Sequence, residues 1–212
     1  MSTPAVTIID YQMGNLRSVQ KALEYTGAEA LVTDDPKAIA SAERLILPGV
    51  GAFGDAIREL RSRDLESPIR DFLASGRPFL GICLGLQMLF ESGDEGGFHE
   101  GLGVLPGRVE RFNLDASYKV PHMGWNSVEN QIPDHPLLAG VHPRAQFYFV
   151  HSFYVVPHDQ STVWLTCDYG VSFTAAVSKG NIHAVQFHPE KSQKEGLKLL
   201  ENFSRLSCEP KK

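Results

Sequence analysis

Pro78-Phe79-Leu80-Gly81-Ile82-Cys83-Leu84-Gly85 reads as an apolar strand that runs through a glycine-flanked turn into a helix. A sharp strand-to-helix turn needs glycine, because Cβ atoms would collide there, and it projects one side chain at the top of the sheet. Cys83 is that side chain and is expected to stand exposed. At the start of a helix it also faces the positive end of the helix dipole, which favours thiolate, the attacking form.

Outward from this turn, apolar runs at 6–9, 30–32, 44–47 and 79–82 alternate with helix-period segments at 15–26, after Pro36, and at 53–63, 68–75 and 84–91. Continuous apolar strands alternating with helices predict an α/β fold, an open and mostly parallel sheet covered on both faces. Leu16, Val19 and Leu23 give the first helix its packing face, and Gly27 stands where a left-handed cap belongs. From about Gly103 short strands and turns take over. The run 171–177, a turn at Lys179-Gly180-Asn181 and the run 182–187 predict antiparallel pairing added to the C-terminal half. Ser192 and Glu195 have the spacing of a capping box, followed by the stripe Leu197, Leu200, Phe203 and Leu206. No internal repeat or linker divides the chain, so 1–212 is expected to be one domain.

With 212 residues, 42% of them hydrophobic, the chain can build a full core. A net charge of −5, with Lys211-Lys212 as the basic cluster, argues against a nucleic-acid partner. The first residues lack the basic and apolar regions of a signal peptide, and no apolar run reaches membrane-spanning length. Together these predict a cytoplasmic protein with no membrane association. Cys83, Cys167 and Cys208 form no CxxC pair, which suits a reducing compartment. The histidines lack metal-ligand spacing, and no metal or cofactor is expected.

His188-Pro189-Glu190 follows the apolar strand 184–187. In an extended segment residues i and i+2 share a face, so Glu190 can orient the His188 ring and stabilise its protonated form. His-Pro-Glu alone is also the composition of a solvated turn. In one chain with a Gly-x-Cys-x-Gly elbow it becomes a nucleophile, a base and an orienter. Leu45-Ile46-Leu47-Pro48-Gly49-Val50-Gly51-Ala52-Phe53-Gly54 supplies a third piece. Gly49 to Gly54 matches Gly-x-Gly-x-x-Gly literally, but it follows the third strand and lacks the later acidic residue at a strand end, so the dinucleotide reading is rejected. The loop is either a tight turn and no more, or a source of backbone N–H groups for an oxyanion hole completed by the amide of Leu84.

These pieces resemble the class I glutamine amidotransferases of the Cys-His-Glu type. Within that family the chain is most similar to the glutaminase subunits of imidazole glycerol phosphate synthase, through Met13-Gly14-Asn15-Leu16-Arg17-Ser18, Pro121-His122-Met123-Gly124-Trp125-Asn126, Phe149-Val150-His151-Ser152 and Gln186-Phe187-His188-Pro189-Glu190-Lys191-Ser192. The resemblance implies a flavodoxin-like fold and hydrolysis of L-glutamine by Cys83, His188 and Glu190. It implies an oxyanion hole from Val50 and Leu84, and glutamine contacts at Gly51, Gln87, Glu95, Ser152 and Phe153. It further implies a heterodimer with a (β/α)8-barrel cyclase subunit, docked through Asn15, Pro121, Met123, Trp125 and Lys191, which takes up the ammonia. For Trp125 ordinary core packing is the competing expectation, and for His151 a place on the pocket rim. Gln12 and Phe153 depart from the family pattern, where glycine and tyrosine are frequent. Two other classes compete: a stand-alone cysteine hydrolase of γ-glutamyl amides, and a non-catalytic binding module.

Overall fold

The computed structural model describes residues 3–208; the Lys211-Lys212 cluster lies outside them. The first half runs β1 (Ala5–Ile9), α1 (Leu16–Tyr25), β2 (Glu29–Thr33), α2 (Pro36–Ser41), β3 (Leu45–Gly49), α3 (Phe53–Ser62), α4 (Glu66–Ala74), β4 (Phe79–Cys83) and α5 (Leu84–Gln87). Short strands follow: β5 (Phe90–Gly93), β6 (His99–Glu100), β7 (Leu105–Arg111), β8 (His122–Ser127), β9 (Glu129–Asn130), β10 (Gln146–His151), β11 (Phe153–Pro157), β12 (Val163–Asp168), β13 (Ser172–Lys179) and β14 (Ile182–Val185). The helix α6 (Gln193–Ser204) comes last.

The main sheet has the order β2-β1-β3-β4-β14-β13-β11-β7-β5-β6, and β8 pairs with β10 in a separate ribbon. Strands β2, β1, β3, β4 and β14 are parallel, and β13 and β11 continue antiparallel. This is the mixed α/β sheet that the sequence predicts. Side chains alternate between two cores: Leu45 and Leu47 of β3 face α3 and α4, whereas Ile46 faces the side of α1 and α6. Burial on both faces explains why these strands read as unbroken apolar runs. Among the described residues, no helix is long and apolar enough to cross a membrane.

Two local expectations are corrected. The helix expected at 84–91 is a single turn, and Phe90–Gly93 is a strand. Leu84, Leu86, Met88, Leu89 and Phe90 are all buried, so this stretch has no polar face to set a helical period. Its later carbonyls instead accept from Leu102, Val104 and Leu105. The capping box is not formed either. Ser192 Oγ donates to the His188 carbonyl at 2.6 Å and accepts from Tyr148 N, while Glu195 accepts from His142 N. Tertiary partners have taken both side chains, and Ser192 fastens the segment that carries His188 to β10. In α6 the buried face is Gly196, Leu199, Leu200, Phe203 and Ser204, rotated from the predicted stripe but sharing Leu200 and Phe203.

Glycine matters at the elbow for close approach. A Cβ on Gly85 would fall inside the Leu47 carbonyl oxygen, and one on Gly81 would meet the Gly85 carbonyl oxygen at 2.8 Å and the Ala184 Cβ at 3.0 Å. Backbone cannot yield as a flexible side chain does, so Gly85→Ala is expected to cost about 3 kcal/mol or more, at the upper end for overpacked cores. Urea denaturation measures it; a loss under about 1 kcal/mol would show that α5 does not need to sit this close to β3.

Candidate active site

Strands β4 and β14 lie side by side in parallel, with Phe79 opposite Ile182 and Ile82 opposite Val185. Both therefore end at one level of the sheet, which brings Cys83 and the segment 186–190 together. Cys83 has φ +55° and ψ −106°, a conformation sparsely populated by non-glycine residues and costing about 1–3 kcal/mol. Close packing of β3, β4 and α5 holds it there. The sulfur residue is only 7% exposed, so the expectation of an exposed nucleophile is corrected: the turn projects it into the floor of a cavity.

That cavity, about 290 Å³, is lined by Cys83 and His188 together with Val50, Gly51, Leu84, Gln87, Glu95, Ser152 and Phe153, with Pro121 and His151 also on its wall. Every candidate glutamine contact named from the sequence is on this one surface. Glu190 lies behind it, its Oε1 2.8 Å from His188 Nδ1, with both side chains almost wholly buried. The residues 189–191 form a 3-10 turn, so the extended i, i+2 geometry expected for His188 and Glu190 is corrected. A tight turn after Pro189 brings the carboxylate to the ring instead.

Burial alone would lower the His188 pKa, but the Cys83 sulfur and the Glu190 carboxylate outweigh it and raise it to about 9. His188 Nε2 is buried and, among the described residues, makes no conventional hydrogen bond; with Nδ1 on Glu190, it is the ring nitrogen left for the Cys83 sulfur. Charge on His188 thus stabilises the fold below the ordinary imidazole value and ceases to do so as pH rises through about 9.

Val50 is the exception among the oxyanion candidates. Its N–H donates to the Met13 carbonyl at 3.3 Å, so in this arrangement it is turned to the β1–α1 loop. Beneath Gly49 lies the Tyr11 hydroxyl, fully buried and, among the described residues, without a hydrogen-bond partner. Burial, and then the charge of the nearby sulfur, keep that phenol protonated. Glu95 Oε2 accepts from Phe53 N at 2.8 Å, which anchors it to the start of α3. Gln12 has φ +66° and its N–H is held by Asp10 Oδ1, a left-handed conformation that glycine would adopt without strain.

Some polar groups at the site were not assigned from the sequence. Gln87 Nε2 donates both to the Phe153 carbonyl and to Gln186 Oε1, each at 3.1 Å, and Gln186 Nε2 lies 3.6 Å from Cys83 Sγ. Gln186 is fully buried; the available signal was a polar residue inside an apolar strand, which must find partners. A second chain leads outward. His151 Nδ1 is 2.8 Å from the Phe153 carbonyl, its Nε2 3.1 Å from His122 Nδ1, and His122 Nε2 3.4 Å from Asn126 Nδ2. Since a carbonyl only accepts, His151 carries its proton on Nδ1 and His122 also donates from Nδ1.

Asn15, Pro121, Met123, Trp125 and Lys191 are all exposed. For Trp125, 43% exposed, core packing is set aside; its ring meets Tyr148, over which the Lys191 ammonium also sits.

The sequence of residues 7–206 matches the family model for class I glutamine amidotransferases. The chain is 64% identical to the imidazole glycerol phosphate synthase subunit HisH of Rhodopirellula baltica, covering 96% of this chain and 98% of that relative. Its identity to the same subunit of Syntrophotalea carbinolica is 54%, covering 95% and 100%. In fold it is similar to PurLQS of Thermotoga maritima, with a TM-score of 0.74 at 22% identity over 95% of this chain and 98% of that one. A Thermotoga maritima glutamine amidotransferase gives 0.64 at 20% identity, over 90% and 77%.

Burial pushes the pKa of His122 down to about 4 and that of His151 to about 3. Both rings must therefore fold uncharged: the penalty is absent above pH ~7 and grows as pH falls below the ordinary value of ~6.5, by up to about 1.4 kcal/mol per ring per unit. Urea denaturation between pH 6.5 and about 4.5 should show a steeper loss of stability in the unsubstituted chain than in His151→Gln. Equal slopes would mean that these rings are not discharged by folding.

Proposed function

The chain belongs to the class I glutamine amidotransferase family and, within it, to the HisH subunits of imidazole glycerol phosphate synthase; on that premise we propose how its residues carry the reaction. Its activity is that of a glutaminase that supplies ammonia for imidazole glycerol phosphate synthesis in histidine biosynthesis, and as a subunit it works with a partner. We take 1–212 as one amidotransferase unit, with L-glutamine in the 290 Å³ cavity.

The observation that carries this reading is the series Cys83, His188 and Glu190, with the imidazole raised to about 9 between sulfur and carboxylate. An imidazolium beside the sulfur favours thiolate. The thiolate attacks the γ-carboxamide carbon, forming the S–C bond as the carbonyl π pair moves to oxygen. His188 Nε2–H then protonates the amide nitrogen, the C–N bond breaks, and ammonia leaves. Water attacks the resulting thioester while neutral His188 takes its proton; glutamate departs and the thiolate is restored. Glu190 keeps the Nδ1–H tautomer throughout.

Substrate contacts follow from hydrogen-bond capacity. Gln87 has used both Nε2 hydrogens, which leaves Oε1 to accept, and Glu95 brings a carboxylate group to the same cavity. Together they suit the α-ammonium of glutamine. Leu84 N–H supplies one oxyanion donor, and Val50 supplies the second once the Gly49–Val50 peptide turns away from Met13. The partner is a cyclase, bound on the face of Asn15, Pro121, Met123, Trp125 and Lys191. That face adjoins Val50, itself 39% exposed. Free ammonia becomes ammonium in water and loses its lone pair, so a covered path to the cyclase is required.

A missing oxyanion donor costs about 3 kcal/mol, or roughly a hundredfold in rate. Glutamate release should therefore rise by about that factor when the cyclase and its nucleotide ligand are added. Cys83→Ala should lower it more than about a thousandfold under both conditions. Turnover that ignores the cyclase would favour a stand-alone hydrolase of γ-glutamyl amides. Activity that survives Cys83→Ala would remove the thioester route.

A further inference from the structure

We propose that Gln186 holds the Cys83 sulfur in its thiolate form by donating a hydrogen bond to it, with the donor direction imposed by the Phe153 carbonyl. Polarity fixes that direction. The carbonyl oxygen of Phe153 has no hydrogen to give, so the group that Gln87 turns toward it at 3.1 Å is Nε2. The same Nε2 lies 3.1 Å from the Gln186 amide, which must present Oε1 to it. That leaves Gln186 Nε2 pointing at Cys83 Sγ, 3.6 Å away, within reach of an N–H···S bond.

Turning either amide over fails. Reversing Gln186 sets two NH2 groups against each other, and reversing both sets an amide oxygen against the Phe153 carbonyl. The second lone pair of that carbonyl is filled by His151 Nδ1 at 2.8 Å. Gln186 is 0% exposed and Gln87 4% exposed, so water cannot substitute for a wrong orientation. The chain Phe153, Gln87, Gln186 thus delivers a fixed N–H to the sulfur from a residue that is not on the cavity lining. A thiol can accept this bond, but a thiolate accepts it more strongly.

This role rests on Cys83 being the nucleophile, and its test reads the sulfur directly. Alkylation of Cys83 by iodoacetamide, followed on the Cys83 peptide by mass spectrometry, is compared across pH for the unsubstituted chain and Gln186→Met. Gln186→Met should react about tenfold more slowly at pH 7, with the gap closing by pH 10, where thiolate forms without help. Should Gln186→Met fold poorly, judged by its melting temperature, Gln186→Asn keeps a buried amide that falls one carbon short of the sulfur, and it should behave alike. Equal rates at pH 7, or a deficit that persists unchanged at pH 10, would overturn the proposal. With the cyclase present, the same variants should also lower kcat for glutamine. If Cys83→Ala still released glutamate, the amidotransferase reading would fail, while the alkylation comparison would still decide what Gln186 does to the sulfur.

Discussion

The register between β4 and β14 is the constraint on which the rest of the molecule depends. These strands run parallel about 4.8 Å apart and end at the same height, so sulfur and imidazole come from adjacent strand ends far apart in sequence. A slip of two residues would carry His188 about 6.6 Å along the strand and out of reach. Small residues set the register and the depth together: Gly81 lies opposite Ala184, and α5 presses its Gly85 backbone onto that pair and onto β3. The same closeness keeps Cys83 in its uncommon backbone conformation. Strain at Cys83 is supported by packing that tolerates no added methyl group.

Around this junction the histidines are tuned in opposite directions. His188 is buried but faces the Cys83 sulfur and the Glu190 carboxyl group, which raise its pKa, and its charge is retained at neutral pH. His122 and His151 are buried among aromatic rings and hydrogen-bond partners, and burial keeps them neutral. The difference is a matter of neighbours, since desolvation penalises all of them. A single main-chain carbonyl, that of Phe153, organises the polar groups between them. It accepts from His151 on one side and Gln87 on the other, and so fixes donors and acceptors from the sulfur to Asn126 on β8. The Phe153 phenyl ring is incidental to this, because the backbone does the accepting.

Much of the parallel half was legible because its strands are apolar on both sides and its helices carry a polar face, which leaves a clear alternation. Where a stretch is buried all round, as at Leu84 to Phe90, composition gave no period, and helix was assigned where a turn and a strand occur. Ser192 and Glu195 illustrate the reverse problem. Their spacing satisfies a local rule, yet the His188 carbonyl, Tyr148 and His142 compete for the same groups from distant parts of the chain. The pairing of His188 with Glu190 was anticipated through an extended segment, whereas a 3-10 turn delivers it. The direction of the Val50 N–H was invisible, because rotating one peptide leaves no trace in residue type. Gln186 could be read as a buried polar residue but not as a donor to sulfur, since its direction is set by Gln87 and Phe153.

The central claim is that Cys83 is the atom that captures glutamine's carbonyl carbon with His188 at its side. The most direct test is to incubate the chain, the cyclase and its nucleotide ligand with a diazoketone analogue of glutamine and to map the adduct by mass spectrometry. One adduct per chain, on Cys83, suppressed by excess glutamine and by His188→Asn, is the predicted result. Adducts on Cys167 or Cys208 instead, or a Cys83 that stays unmodified in the liganded complex, would contradict the account.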